Sequence, residues 1–193
     1  MGSRLGVLGG TFDPIHVGHR IVAQDVLEAD RLLVVPAARP PHREARLPAE
    51  RRLRITRRAF EGDRRVEVSR MELDRAGPSY TVDTLEEIRE RRSPAALFCV
   101  IGADQLRAFD EWRRPERIVE LAELVVMNRG DREPEPPEEM PDLAFRAVDV
   151  TRVELSSTRI RERLYADRQV RYLVPESVRP EIEAAYGGRP LRA

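Results

Sequence analysis

Two histidines three residues apart, His16 and His19, follow the run Gly9-Gly10-Thr11-Phe12-Asp13-Pro14-Ile15. Adjacent glycines let backbone N–H groups approach an anion with no Cβ in the way. A helix opening directly after the run adds unsatisfied N–H donors and partial positive charge, and projects both imidazoles to one side. Such a corner suits a phosphate. It is not a dinucleotide fingerprint, because Gly6-x-x-Gly9-Gly10 lacks the Gly-x-Gly-x-x-Gly spacing. Taken singly, each histidine could as well cap or pack. The remaining histidine, His42, stands with Arg43 behind Pro40-Pro41, a pair that stiffens a loop whatever else it does. Ser157 and Thr158 sit where a helix N-cap is expected, a role worth about 1 kcal/mol. Beside Arg161, the same capped N-terminus is also a second anion site.

The elements that must position these groups follow from short apolar runs alternating with amphipathic stretches. Buried strands are expected at Leu5–Leu8, Leu32–Val35, Leu97–Ile101 and Leu124–Met127, an alternating strand over Val66–Leu73, and a last strand near Phe145–Val150. Helices are expected from about Val17 to Glu28, opening at Pro48, over Thr81–Arg91, near Pro115–Leu121, over Ser157–Leu164 and over Pro175–Tyr186. Asn128–Asp142, with four prolines and six acids, reads as a flexible surface loop. The alternation predicts an α/β fold: a Rossmann-like open, mainly parallel sheet with helices on both faces and a small C-terminal helical part over 151–193. Ligands in such sheets bind outside the carboxyl ends of the strands, so the loops after Leu8, Val35, Ile101 and Val150 are the ones to watch.

Composition narrows the chemistry. The 193 residues suggest a single domain burying roughly 70% of its unfolded surface. With 34 basic and 34 acidic residues the formal charge is zero, which argues against a general nucleic-acid or membrane-surface binder. No apolar run approaches 18 residues and the opening lacks a signal-peptide pattern, so a cytoplasmic protein is expected. Cys99 is the only cysteine and sits among apolar neighbours, so an intrachain disulfide is excluded and a packing thiol is expected. Every basic residue is arginine, which excludes a Walker P-loop, a Schiff-base enzyme and a ligase charged on its own lysine.

The eleven-residue block from Gly9 to His19 matches the phosphate loop of the His-x-Gly-His nucleotidylyltransferases, and most closely resembles the bacterial nicotinate-mononucleotide adenylyltransferase family. Four further stretches agree in order: Pro36–Arg43, Gly77–Leu85, Ile101–Asp104 with Trp112 beyond, and Ser156–Arg161. The resemblance spans residues 5 to about 187. It implies ATP as one substrate, its phosphates held by Gly9, Gly10, Thr11 and Phe12 with His16, His19 and Arg161 as catalytic residues. Gly102, Asp104, Ser157, Thr158 and Ile160 complete the implied ATP site. Asp104 would accept from ribose hydroxyls, with helix capping as its bland alternative. Nicotinate mononucleotide is the implied second substrate, held by His42, Arg43, Tyr80, Thr81 and Trp112. Trp112 stands in polar company and would be the stacking platform; Thr81 would receive the nicotinate carboxylate. Mg²⁺ is implied as a passenger on ATP, with no dedicated protein ligands. A transferase of the same superfamily with another phosphorylated acceptor, and a non-catalytic nucleotide-binding module, are the alternatives. A homo-oligomer is compatible with the sequence but not required by it.

Overall fold

The computed structural model describes residues 4–26, 31–42, 44–92, 94, 96–128, 130 and 133–187. Strand β1 (Arg4–Gly10) leads to α1 (Val17–Asp25), β2 (Arg31–Pro36), α2 (Ala49–Ala59) and β3 (Val66–Val68). Next come α3 (Met71–Asp74), α4 (Thr81–Arg92), β4 (Ala96–Gly102), α5 (Ala103–Arg107) and α6 (Pro115–Leu121). β5 (Glu123–Asn128), β6 (Phe145–Asp149), α7 (Ser157–Tyr165) and α8 (Arg179–Tyr186) follow. The six strands form one sheet in the order β3-β2-β1-β4-β5-β6, and every pairing is parallel. That is the doubly wound order, and the direction of winding reverses between β1 and β4.

The strands are apolar throughout because both faces are covered. Leu32 and Val34 of β2 point to one side, where α1, α2, α7 and α8 supply Val22, Ile55, Ile160 and Ile182. Leu33 and Val35 point to the other, against Val82 and Leu85 of α4 and Ile118 of α6. The C-terminal helices therefore share a core with the first ones. Among the described residues no helix is long and apolar enough to cross a membrane.

Two expectations need correction. The strand expected over Val66–Leu73 ends at Val68, and α3 begins at Met71. β3 is an edge strand, and its partner β2 ends in Pro36, which has no N–H with which to extend a ladder. The helix expected from Pro175 begins at Arg179 instead. Pro180 has no N–H to offer and belongs in a first turn, so residues 175–178 form a separate turn closed by Val178 N–H to Pro175 O at 3.1 Å. The short helix α5, invisible as a pattern of five residues, is held by Gln105 Oε1, which accepts from Gly102 N–H at 2.9 Å. The 128–142 segment has no helix or strand beyond Asn128 among its described residues, yet Pro134 and Pro137 are buried and Met140 packs against the core. Leu27, Glu28 and Arg43 lie outside the described residues.

Candidate active site

The chain leaves β1 at Gly10 and turns back on itself through Phe12, whose φ of +49° is in the left-handed region. Its ring lies over Gly10, where an added Cβ would stand 2.9 Å from the ring tip, so only glycine fits beneath it. The same ring meets His19 edge-on at 5.0 Å. Helix α1 starts at Val17 with His16 as its N-cap, and His19 Nδ1 accepts from His16 N–H at 3.2 Å. With Nδ1 accepting, the proton of neutral His19 belongs on Nε2, which makes that edge a donor. The two imidazoles stack at 3.7 Å. Gly18 permits this, since a Cβ there would press on His16 Nδ1 at 3.0 Å.

Helix α7 closes the other wall. Ser156, one residue earlier than expected, is its N-cap and accepts from Arg159 N–H at 3.1 Å. Ser157 instead donates its hydroxyl to Pro14 O at 2.8 Å. Arg161 donates to Asp13 O at 2.5 Å and to Thr158 Oγ1 at 3.0 Å. These bonds tie α7 to the turn after β1. A cleft of about 880 Å³ results, at the carboxyl ends of β1 and β4, lined by Gly9–Asp13, His16, His19, Gly102, Asp104, Ser157, Thr158 and Arg161. Ile160 does not line it: the side chain is fully buried in the core beneath α7.

A smaller cavity of about 180 Å³ opens on the other side of Gly9–Thr11. His42, Tyr80, Thr81 and Trp112, from three separate stretches of chain, all line it over an apolar floor that includes Val7, Val35 and Ile101. Trp112 is less isolated than its sequence neighbours imply, because its ring packs on Phe109 at 5.3 Å while lining the cavity. Arg113 lies 4.6 Å above the Tyr80 ring. Thr81 is the first residue of α4, so a helix N-terminus also faces this space.

Several supporting residues escaped sequence reasoning. Asp13 is buried and accepts from Arg46 N–H at 2.6 Å, Leu47 N–H at 3.2 Å and Tyr186 Oη at 2.5 Å, so it clasps two distant segments and is spent as a structural anchor. Burial, and then the Asp13 bond, push the Tyr186 hydroxyl well above its ordinary pKa. Glu72 lines the smaller cavity, and its Oε1 accepts from Thr84 Oγ1 at 2.6 Å. Burial raises its carboxyl above the ordinary range against the lowering pull of Thr84 and Ser79. Arg52, fully buried, donates to four backbone carbonyls. Its signal was present: Arg52, Ile55, Thr56 and Ala59 recur at i, i+3, i+4 and i+7, which sets this arginine on the buried stripe of α2.

The geometry has close company among known proteins. Residues 7–163 match the Cytidylyltransferase-like family. A Thermus thermophilus protein named "Probable nicotinate-nucleotide adenylyltransferase" is 48% identical over 183 residues, covering 93% of this chain and 96% of that one. A Pseudomonas aeruginosa protein of the same name is 41% identical over 206 residues, covering 95% and 96%. In three dimensions, Plasmodium falciparum nicotinic acid mononucleotide adenylyltransferase, solved in complex with NaAD, superposes with a TM-score of 0.74 at 15% identity, covering 95% of this chain and 96% of that one; at that identity the likeness speaks for the fold. A parallel sheet in this strand order, a phosphate-suited corner at its switch point and similarity to such relatives over nearly the whole chain agree: the chain belongs to the cytidylyltransferase-like family and, within it, to the nicotinate-nucleotide adenylyltransferases.

Proposed function

We propose that the protein transfers the adenylyl group of ATP to nicotinate mononucleotide, releasing pyrophosphate and forming nicotinate adenine dinucleotide. The observation that carries the reading is the pair of chambers meeting at Gly9–Thr11, one rich in anion-binding groups and one walled by aromatic rings. ATP belongs in the larger, its triphosphate against the backbone of Gly10–Phe12, His16, His19 and Arg161, with Ser157 and Thr158 at the α7 N-terminus. Asp104 suits a ribose hydroxyl. The mononucleotide belongs in the smaller, its pyridine ring on Trp112 and Tyr80 and its carboxylate toward Thr81. His42 is suited to its phosphate. Arg43, in the same role, lies outside the described residues.

The attacking phosphate monoester is mostly dianionic at pH 7, its second pKa being about 6, so no general base is required. An oxygen of that phosphate attacks the α-phosphorus, the α–β bridging bond breaks, and pyrophosphate departs with the negative charge. Protein groups align two anions and neutralise the charge that grows on the leaving group. His19 Nε2–H, held by the Nδ1 contact, is suited to the α-phosphate, and the Arg161 guanidinium to the β- and γ-phosphates. Mg²⁺ would arrive on the phosphate oxygens of ATP, which are the hard donors it prefers. When bound there, the ion supplies charge neutralisation of the triphosphate.

The test is turnover with nicotinate mononucleotide and nicotinamide mononucleotide side by side, following pyrophosphate. The acid should be used at a kcat/KM at least about 10²-fold above the amide, because the N–H donors of the α4 N-terminus at Thr81 suit a carboxylate and leave one unpaired against an amide N–H₂. Equal use of both would remove the substrate assignment.

A further inference from the structure

Arg52 has no part in the chemistry described so far, yet it bonds to loops that line both chambers. It is 1% exposed and, among the described residues, forms no ion pair. Four of its five N–H groups are used, all on backbone carbonyls. Nε donates to Leu47 O at 3.0 Å, Nη1 to Thr11 O at 2.7 Å and Ala37 O at 2.6 Å, and Nη2 to Ala38 O at 3.2 Å. Thr11 belongs to the turn that lines the larger cleft, whereas Ala37 and Ala38 begin the loop that carries Pro40, Pro41 and His42 over the smaller one. One planar group therefore holds both loops, and the fork of a guanidinium keeps their separation fixed.

The second loop is pinned on its other edge too. Ala37 N–H donates to Gly10 O at 2.8 Å, Ser79 Oγ accepts from Ala38 N–H at 2.9 Å and Arg39 N–H at 3.1 Å, and Ser79 N–H donates to Arg39 O at 2.9 Å. Segment 37–39 thus moves as one piece with the Ser79 turn, and Arg52 with Gly10 decides where that piece stands relative to Thr11. A buried cation is a costly brace, and an apolar side chain would pack α2 on the sheet more cheaply. What an apolar residue cannot do is bond three carbonyls of two loops at once.

We propose that Arg52 is a positioning residue for the transfer: it sets the separation of the triphosphate turn and the mononucleotide loop, so that acceptor oxygen and α-phosphorus meet in line. The inference rests on the two-substrate reading above. Its consequence is specific, because a misplacement of about 1 Å costs roughly 10²-fold in rate while each half-site can still fill.

The experiment compares the full chain with Arg52→Lys and Arg52→Ala. It measures melting temperature, Kd for ATP and for nicotinate mononucleotide separately, and kcat with both saturating. Turnover by the unsubstituted protein checks the two-substrate reading on its own. Arg52→Lys keeps the charge but not the fork. It is expected to change each Kd by less than about 3-fold and to lower kcat by about 30-fold or more. Ethylguanidinium added to Arg52→Ala should restore kcat at least several-fold without moving either Kd, a response that a loss of fold stability would not give. The proposal is overturned if the Lys variant keeps kcat within about 3-fold of the parent, or if both Kd values weaken by the same factor as kcat. Failure of the Lys variant to fold would overturn it as well, since the residue would then serve the fold alone. If only the Ala variant fails to fold, the kcat-against-Kd split of the Lys variant decides.

Discussion

His19 is oriented from two directions, by the His16 N–H on its Nδ1 and by the Phe12 ring on its edge. Removing the imidazole leaves both supports in place and takes away only a half-buried ring, so the fold should hardly notice. His19→Ala is expected to lower kcat/KM by about 10²–10³-fold, the range seen when one preorganised donor to a developing charge is lost. The melting temperature should fall by no more than a few degrees, the scale of one lost hydrogen bond. Equal loss of fold and activity would make His19 a structural residue. At this scale the sequence was partly legible. His16 and His19 were singled out by the glycine run before them and Arg161 by the resemblance over Ser156–Arg161, and the fold brings all three to one cleft. Ser156 was passed over for Ser157 because hydroxyls one apart differ only in backbone phase, which no composition reveals. Ile160 was grouped with the ATP site because it sits inside a motif, although an apolar side chain at the first turn of a core-facing helix belongs beneath it.

Among the elements, α8 has the longest reach. Tyr186 closes it onto Asp13, joining the last described helix to the first turn of the chain, while Ile182 and Ala185 bury an apolar face on the sheet. Tyr186→Phe retains that face and deletes the hydroxyl, leaving Asp13 with the N–H groups of Arg46 and Leu47. The expected cost is about 1.5–3 kcal/mol, the range for a hydrogen bond to a charged group, read as the change in unfolding free energy from denaturant titration. A change under about 0.5 kcal/mol would show that the clasp is unnecessary to the fold. Strands β1, β2, β4 and β5 were legible because a strand buried on both faces is a continuous apolar run. β3 and α3 were not. Val66 and Val68 alternate, and Met71 and Leu73 alternate again one residue out of phase beyond Ser69-Arg70; pairing of β3, at the sheet edge, stops at that slip. Arg52 hid in a helix whose other arginines are solvated or paired with Glu181, so a run of like residues concealed one with the opposite environment.

For the molecule as a whole, stability should carry the mark of Glu72. Its folded pKa is raised, so the native state prefers the protonated carboxyl. That contribution is fully present below about pH 4.3, where glutamate in an unfolded chain is still protonated, and is lost as pH rises through the folded value. Glu72→Gln cannot ionise. The melting temperature of the parent relative to this variant should therefore be highest in acid and fall as pH is raised from 4 to 8. A parent that gains on the variant with rising pH would mean that the carboxyl is held ionised. Zero formal charge and the absence of lysine said nothing of this, because a buried carboxyl over an aromatic-walled cavity is made by three segments that meet only in space.

The backbone of Gly9, Gly10 and Thr11, with Gln105 beside it, stands between a roomy, polar chamber and a tight, greasy one. Compounds that fill either compartment alone forgo contacts with its neighbour. A single inhibitor bridging them, an adenosine at one end and a flat heteroaromatic acid at the other, surrenders its translational freedom once and collects both sets of contacts. That shared wall is thus where a tethered drug scaffold has the least distance to cross.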